Sequence, residues 1–141
     1  MTINEKQDEL IEDFDLFDDQ LEKTQYIIDL GKKLPPIAEE YKTDDNLIKG
    51  CQSRVWLHTE MRGDRVYFEA DSEPTAQISK GLVSLLIKIL SGEKPEDVAK
   101  ADLYFIEKIG MSSIITSRRA GGLASMIVRM KDFAEKQLEV N

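Results

Sequence analysis

The sequence predicts an α+β fold in which a small antiparallel sheet, built on a hairpin over 53–70, packs against helices. Three observations lead there. Apolar residues recur at helical spacing in the first 34 residues and again from Ile78 onward. Between these stretches the period falls to two, the alternation of a half-buried strand. At 141 residues and 41% apolar content, the chain is the size of one domain with its own core, read as a single domain over 1–141.

The elements follow in order. Ile3, Leu10, Ile11, Phe14 and Phe17 fall near one face of a first helix. Asp19 followed by Glu22 has the spacing of a capping box and opens a second helix carrying Leu21, Ile27, Ile28 and Leu30. Gly31 and Pro35-Pro36 are expected to end it. A polar connection from Glu39 to Asn46 leads to the alternating region. There Val55, Leu57, Thr59 and Met61 oppose Trp56, His58 and Glu60. Arg62-Gly63-Asp64 supplies a turn, and Val66, Phe68 and Ala70 then oppose Tyr67 and Glu69. Trp56 is expected to anchor a sheet face in the core. An isolated hairpin is only marginally stable, so this one should lie on helices, with room for a third short strand that the sequence does not place. Ile78, Leu82, Leu85, Leu86 and Ile89 form an amphipathic stripe ending at Ser91-Gly92, with Asp71 and Ser72 as its expected caps. Pro95 suits the first turn of a short helix holding Val98. Leu103, Phe105, Ile106 and Ile109 precede Gly110. A last helix starting near Ala120 or Gly121 stacks Leu123, Met126, Ile127, Met130 and Phe133.

Composition excludes several function classes. With 27 acidic and 19 basic residues the net charge is −8, the wrong sign for a nucleic-acid binder, which needs a basic footprint. No apolar run approaches the roughly 20 residues of a membrane span, and the acidic, polar start MTINEKQDELIED is unlike a secretory signal. The expected location is the cytoplasm, with neither nucleic acid nor membrane as partner. One cysteine and one histidine, Cys51 and His58, are too few for a thiolate zinc or iron–sulfur site, so no metal is expected.

Cys51 stands between a polar connection and the first strand. Gly50 before it allows a sharp turn, and Lys49 and Arg54 flank it with charge suited to a thiolate. A lone cysteine is more often buried and inert, and these features by themselves leave both readings open. His58 on its strand reads as a packing or surface residue, and Arg62-Gly63-Asp64 as a turn rather than an adhesion motif.

The run Gly50-Cys51-Gln52-Ser53-Arg54-Val55-Trp56-Leu57 resembles the signature of the SufE family. Tyr26-Ile27-Ile28-Asp29-Leu30-Gly31 with Leu34-Pro35, Asp71-Ser72-Glu73 with Lys80-Gly81-Leu82, and Arg119 with Gly122-Leu123 and Met126 are similar to further blocks of that family in the same order. Together they extend from about Tyr26 to Met130. The resemblance implies a SufE/IscU-like fold. It also implies a sulfur acceptor that takes persulfide sulfur from a SufS-type cysteine desulfurase, stimulates that enzyme, and passes the sulfur to a downstream scaffold for iron–sulfur cluster assembly. By this resemblance Cys51 is the persulfide acceptor. Arg119, beside Arg118, has a loop or interface role, and Gly50, Gln52 and Glu73 belong to the partner-facing loop region. Pro74-Thr75 lengthen the chain after Glu73 relative to the family pattern. The chain itself is expected to need no cofactor; the desulfurase would use pyridoxal phosphate. The chain is then a carrier and activator rather than a stand-alone enzyme. The alternatives are an IscU-like or SufU-like scaffold, which one cysteine ill suits, and a thiol enzyme using Cys51, which would want a histidine base nearby.

Overall fold

The computed structural model describes residues 1–48, 54–110 and 121–140. Two antiparallel strands, β1 (Val55–Arg62) and β2 (Arg65–Ser72), pair from Val55 opposite Ser72 to Arg62 opposite Arg65. The hairpin thus begins and ends two residues later than the span read from sequence. Gly63, at φ 64°, makes the tight turn that a side-chain-bearing residue adopts only with strain. Val55, Leu57, Val66, Phe68 and Ala70 point into the core as the alternation requires.

Among the described residues the sheet has two strands, but neither edge is bare. Leu47 bridges Trp56 along β1, with the Ile48 N–H donating to the Val55 carbonyl at 2.8 Å. Along β2, the Val66 N–H donates to Glu93 O at 2.9 Å and the Gly92 N–H to Val66 O at 2.7 Å. These single bridges do the work of outer strands. They satisfy edge groups that would otherwise face water or another chain.

Six helices among the described residues surround the hairpin. α1 (Ile3–Asp15) opens with a full capping box: Thr2 Oγ1 accepts from the Glu5 N–H at 3.1 Å, and Glu5 Oε1 from the Thr2 N–H at 3.2 Å. α2 (Gln20–Lys32) is capped by Asp19, which accepts from the Glu22 N–H at 2.8 Å. Two 3₁₀ turns, Glu39–Tyr41 and Asp44–Asn46, occupy the polar connection. α3 (Gln77–Leu90) is the central element, burying Leu82, Leu85, Leu86 and Ile89 against the hairpin and its neighbours. The short α4 (Pro95–Ala99) starts on Pro95 and packs on the last helix; α5 is Phe105–Lys108. α6 (Gly121–Val140) closes the core with Leu123, Met126, Met130 and Ala134.

Two expectations for α2 are corrected. Leu21 is 82% exposed, because it faces away from α3 at the helix start. Gly31 does not end the helix, which runs on to Lys32. It is buried where α2 crosses α3: a Cβ on Gly31 would meet Gly81 N at 2.7 Å, and one on Gly81 would meet the Ile27 carbonyl oxygen at 2.2 Å. The two glycines let the backbones approach more closely than any side chain would permit.

Gln7 on α1 is fully buried and bridges to the chain before α5. Its Nε2 donates to Asp102 O at 3.0 Å, while its Oε1 accepts from the Phe105 N–H at 3.1 Å. An amide has both a donor and an acceptor, so one side chain serves a part-buried carbonyl and a buried N–H at once.

Candidate functional site

The residues singled out in the sequence divide into two groups. Cys51, Gly50 and Gln52 lie outside the described residues, as do Arg118 and Arg119. Glu73 and the frame around the cysteine segment are described. The described chain runs to Ile48 and resumes at Arg54, and both flanks are tied to the open end of the hairpin. Ile48 is buried and bonded to Val55; the Arg54 carbonyl accepts from the Glu73 N–H at 3.0 Å. The side chains of Arg54 and Glu73 approach to 3.6 Å, at 69% and 40% exposure. A pair this wet contributes about 0–1 kcal/mol, so the backbone bond is the firmer link.

Behind Glu73 stands a buried carboxylate. Asp71 and Ser72 do not cap α3, whose N-cap position is Ala76 with no side-chain bond. They belong to β2, because the strand pairing extends to Ser72 opposite Val55. Asp71 Oδ1 accepts from the Ser72 N–H at 2.8 Å and lies 3.3 Å from Lys80 Nζ; Oδ2 lies 3.5 Å from Lys42 Nζ. Burial pushes the Asp71 carboxyl up, but the Ser72 N–H and the two ammonium groups outweigh it and hold it below the ordinary aspartate value. Asp71 thus stays ionised and ties α3 and the 3₁₀ connection to the open end of the hairpin. Lys42 also bonds Glu39 at 3.0 Å, which raises its own pKa.

Trp56 is not a core anchor. It is half-buried on the face opposite Val55 and Leu57, with Lys42 Nζ 5.7 Å from its ring centroid. His58 stacks on Tyr41 at 3.6 Å and 14°, and its Nε2 lies 2.9 Å from Glu60 Oε1. It is a packing residue, as its place on the strand suggested.

One functional candidate carries no local sequence signal. Arg129 on α6 donates through Nη1 to Leu47 O at 3.0 Å and through Nη2 to Asp45 O, clamping the backbone that leads into the cysteine segment. Its partners are main-chain carbonyls distant in sequence, so no motif could reveal it. Beside it, Ile48, Ala124, Ser125, Val128 and Asp132 line an open groove of about 400 Å³.

The described frame is therefore two anchored flanks, one ending at Ile48 and one resuming at Arg54, at the open end of a hairpin in a small α+β domain. The family described as "SufE: Fe-S metabolism associated domain" matches residues 8–134. An uncharacterized SufE-like protein of Rhizobium meliloti (strain 1021) is 39% identical over 136 residues, covering 93% of this chain and 96% of the relative. A second, from Synechocystis sp. (strain PCC 6803), is 33% identical over 122 residues, 86% of this chain and 76% of its own. The solution structure of a hypothetical protein from Thermus thermophilus has the same fold, with a TM-score of 0.77 over 95% of this chain and 96% of that one, at 24% identity. The chain belongs to the SufE family and is thereby associated with Fe–S metabolism. Among the described residues no helix is long and apolar enough to cross a membrane.

Proposed function

We propose that this protein accepts sulfane sulfur on Cys51 from a SufS-type cysteine desulfurase, raises the turnover of that enzyme, and hands the sulfur on for iron–sulfur cluster assembly. The observation that carries the reading is the position of the chain's one thiol. It stands in Gly50-Cys51-Gln52-Ser53 of a SufE-family chain, between flanks held by Ile48–Val55 and Arg54–Glu73 backbone bonds. The described chain on each side of that run is thereby tied to the end of the hairpin.

The step is a thiol exchange. The Cys51 thiolate attacks the outer sulfur of the desulfurase persulfide, the S–S bond to the enzyme cysteine breaks, and that cysteine leaves as a thiolate. One S–S bond forms as one breaks, so no external oxidant or reductant enters. The thiolate is the nucleophile, yet a deeply lowered pKa would weaken it, because nucleophilicity falls with basicity.

The test is whole-protein mass after incubation with cysteine and a SufS-type desulfurase. Wild type should gain sulfur-sized increments that a reductant removes. Cys51→Ser should fold normally, gain none, and fail to stimulate the desulfurase. Sulfur carried by Cys51→Ser, or full stimulation by it, would overturn the reading.

A further inference from the structure

We infer that the corner between α1 and α2 is a docking surface for a basic amphipathic helix of a partner protein, with Leu16 and Leu21 as its apolar anchors. The surface stands apart from Cys51 and holds whether or not the chain carries sulfur.

Residues 16–19 join the two helices. Among the described residues, Leu16 at 80% and Leu21 at 82% are the most exposed of the large apolar side chains. A lone exposed leucine is ordinary, but two on either side of one turn form a patch. The chain between them keeps them within about 17 Å of each other, the length of about three helical turns. The ground beneath them is firm. Phe17 and the buried Phe14 both pack on Tyr26, with ring centroids 5.0 and 5.2 Å away. Asp19 caps α2, and Gln20 Nε2 donates to the Gly110 carbonyl at 2.8 Å. Anchors held by a built corner lose little freedom when a partner covers them.

Charge names the occupant. From Asp8 to Glu22 the chain carries eight acidic residues and no lysine or arginine. The whole chain has 27 acids and 19 bases, so nineteen of each lie outside this stretch and the net charge of −8 resides within it. All eight acids are exposed except Asp13, which is half-buried. Among the described residues none of them is in an ion pair, whereas Glu60, Glu69, Asp71, Glu73 and Glu93 all are. Such a rim repels nucleic acid, an anionic membrane and the same corner of a second copy. What complements an apolar pair rimmed by carboxylates is an apolar stripe rimmed by lysine and arginine, the face of a basic amphipathic helix.

The length of α2 separates this surface from the cysteine flanks. The helix has 13 residues and is about 20 Å long. Its last turn, with Ile28, Gly31 and Lys32, shares a cavity with Asp71, Ser72 and Glu73 at the open end of the hairpin. Leu21 is at the other end. A helix seated on the corner therefore leaves the Glu73 flank uncovered, and both surfaces can be occupied together.

The experiment titrates the isotope-labelled full chain with a synthetic helical peptide of about 18 residues, leucines on one face and lysines on the rest, and reads affinity and shifted amide resonances by NMR. Wild type should bind, with the shifts confined to the stretch from Asp8 to Lys23. Leu16→Ser with Leu21→Ser leaves the charge unchanged and should weaken binding about tenfold, the factor for burying roughly half of each leucine. That loss should persist at about 1 M salt, where exposed charges are screened. Asp15→Asn with Asp18→Asn should weaken binding several-fold at low salt and not at about 1 M. Glu135→Gln with Glu139→Gln, two exposed acids on α6, makes the same change in net charge and should match wild type. Leu16→Ala with Leu21→Ala should fall between wild type and the serine pair, and it decides on the same terms if the serine pair melts early. Shifts centred elsewhere, unchanged affinity in the leucine variants, or equal losses from the two acid pairs overturn the inference. So does a wild type that dimerises in sedimentation and is made monomeric by the leucine substitutions, because the occupant is then a second copy.

Discussion

Replacing Gly81 by alanine tests the tightest contact in the fold. The added Cβ would lie 2.2 Å from the Ile27 carbonyl oxygen and 2.5 Å from Ile27 Cγ2. The oxygen is helix backbone and cannot rotate aside, so α2 and α3 must separate by about 1 Å to restore an ordinary contact. A gap of that size forfeits roughly a quarter to a half of the dispersion well for each atom pair across the crossing. Overpacking of this kind costs about 1–3 kcal/mol, and the rigid obstacle argues for the upper end. Against it stands the better helix propensity of alanine, worth about 1 kcal/mol over glycine in mid-helix. The net expectation is about 2 kcal/mol lost, a fall in Tm of roughly 6–10 °C for a domain of this size. Thermal melting by circular dichroism, with a urea midpoint as a second measure, reads it directly. Gly31→Ala should behave alike, since its Cβ would meet Gly81 N at 2.7 Å and Gly81 Cα at 2.9 Å. A Gly81→Ala protein that melts at or above wild type would show that propensity governs this position and that the helices do not touch there.

Gln7→Leu should cost about 2–4 kcal/mol in urea unfolding, because it strands the Phe105 N–H and the Asp102 carbonyl together; a change under about half a kcal/mol would mean that water replaces the amide. Asp71→Asn should destabilise by roughly 2–3 kcal/mol at neutral pH, leaving Lys42 and Lys80 without their shared carboxylate. The Asp71 pKa is depressed in the folded state, so its contribution is complete above the unfolded value near about 4 and is lost as pH falls through the lower folded value. The gap between wild type and Asp71→Asn in denaturant melts should therefore be flat from about pH 5 to 8 and shrink below about pH 4; a gap unchanged at about pH 3 contradicts the assignment. Arg119→Ala should slow desulfurase stimulation several-fold while shifting stability by no more than about half a kcal/mol, and Arg118→Ala should do less. Equal, small effects from both arginines would remove Arg119 from the site.

Much of this was legible in the chain. The alternation from Val55 to Ala70, the stripe from Ile78 to Ile89 and the proline at the start of α4 are local patterns. Local backbone geometry enforces them directly, since a period of two or of 3.6 puts one face toward any apolar partner. The candidate thiol was equally legible, because a single cysteine in Gly50-Cys51-Gln52-Ser53 needs no structure to be noticed. The sequence alone therefore determined the fold class, the order of elements and the family to which the chain belongs.

Tertiary structure decided what depends on which distant groups meet. Gly31 looks like a helix terminator until Gly81 is seen against α2, where the absence of a Cβ serves packing and not chain reversal. Asp71 looks like a cap until the strand register places it opposite Trp56 and sets its carboxylate between Lys42 and Lys80. Trp56 looks like core until the hairpin turns its other face to α3 and leaves the ring under Lys42. Arg129 looks like one more surface charge until its guanidinium is found on the carbonyls of Asp45 and Leu47. In each case the side chain's chemistry was in the sequence, but its partner was not. A hydrogen bond or a close approach is a property of two places in space, and only the folded chain brings them within reach.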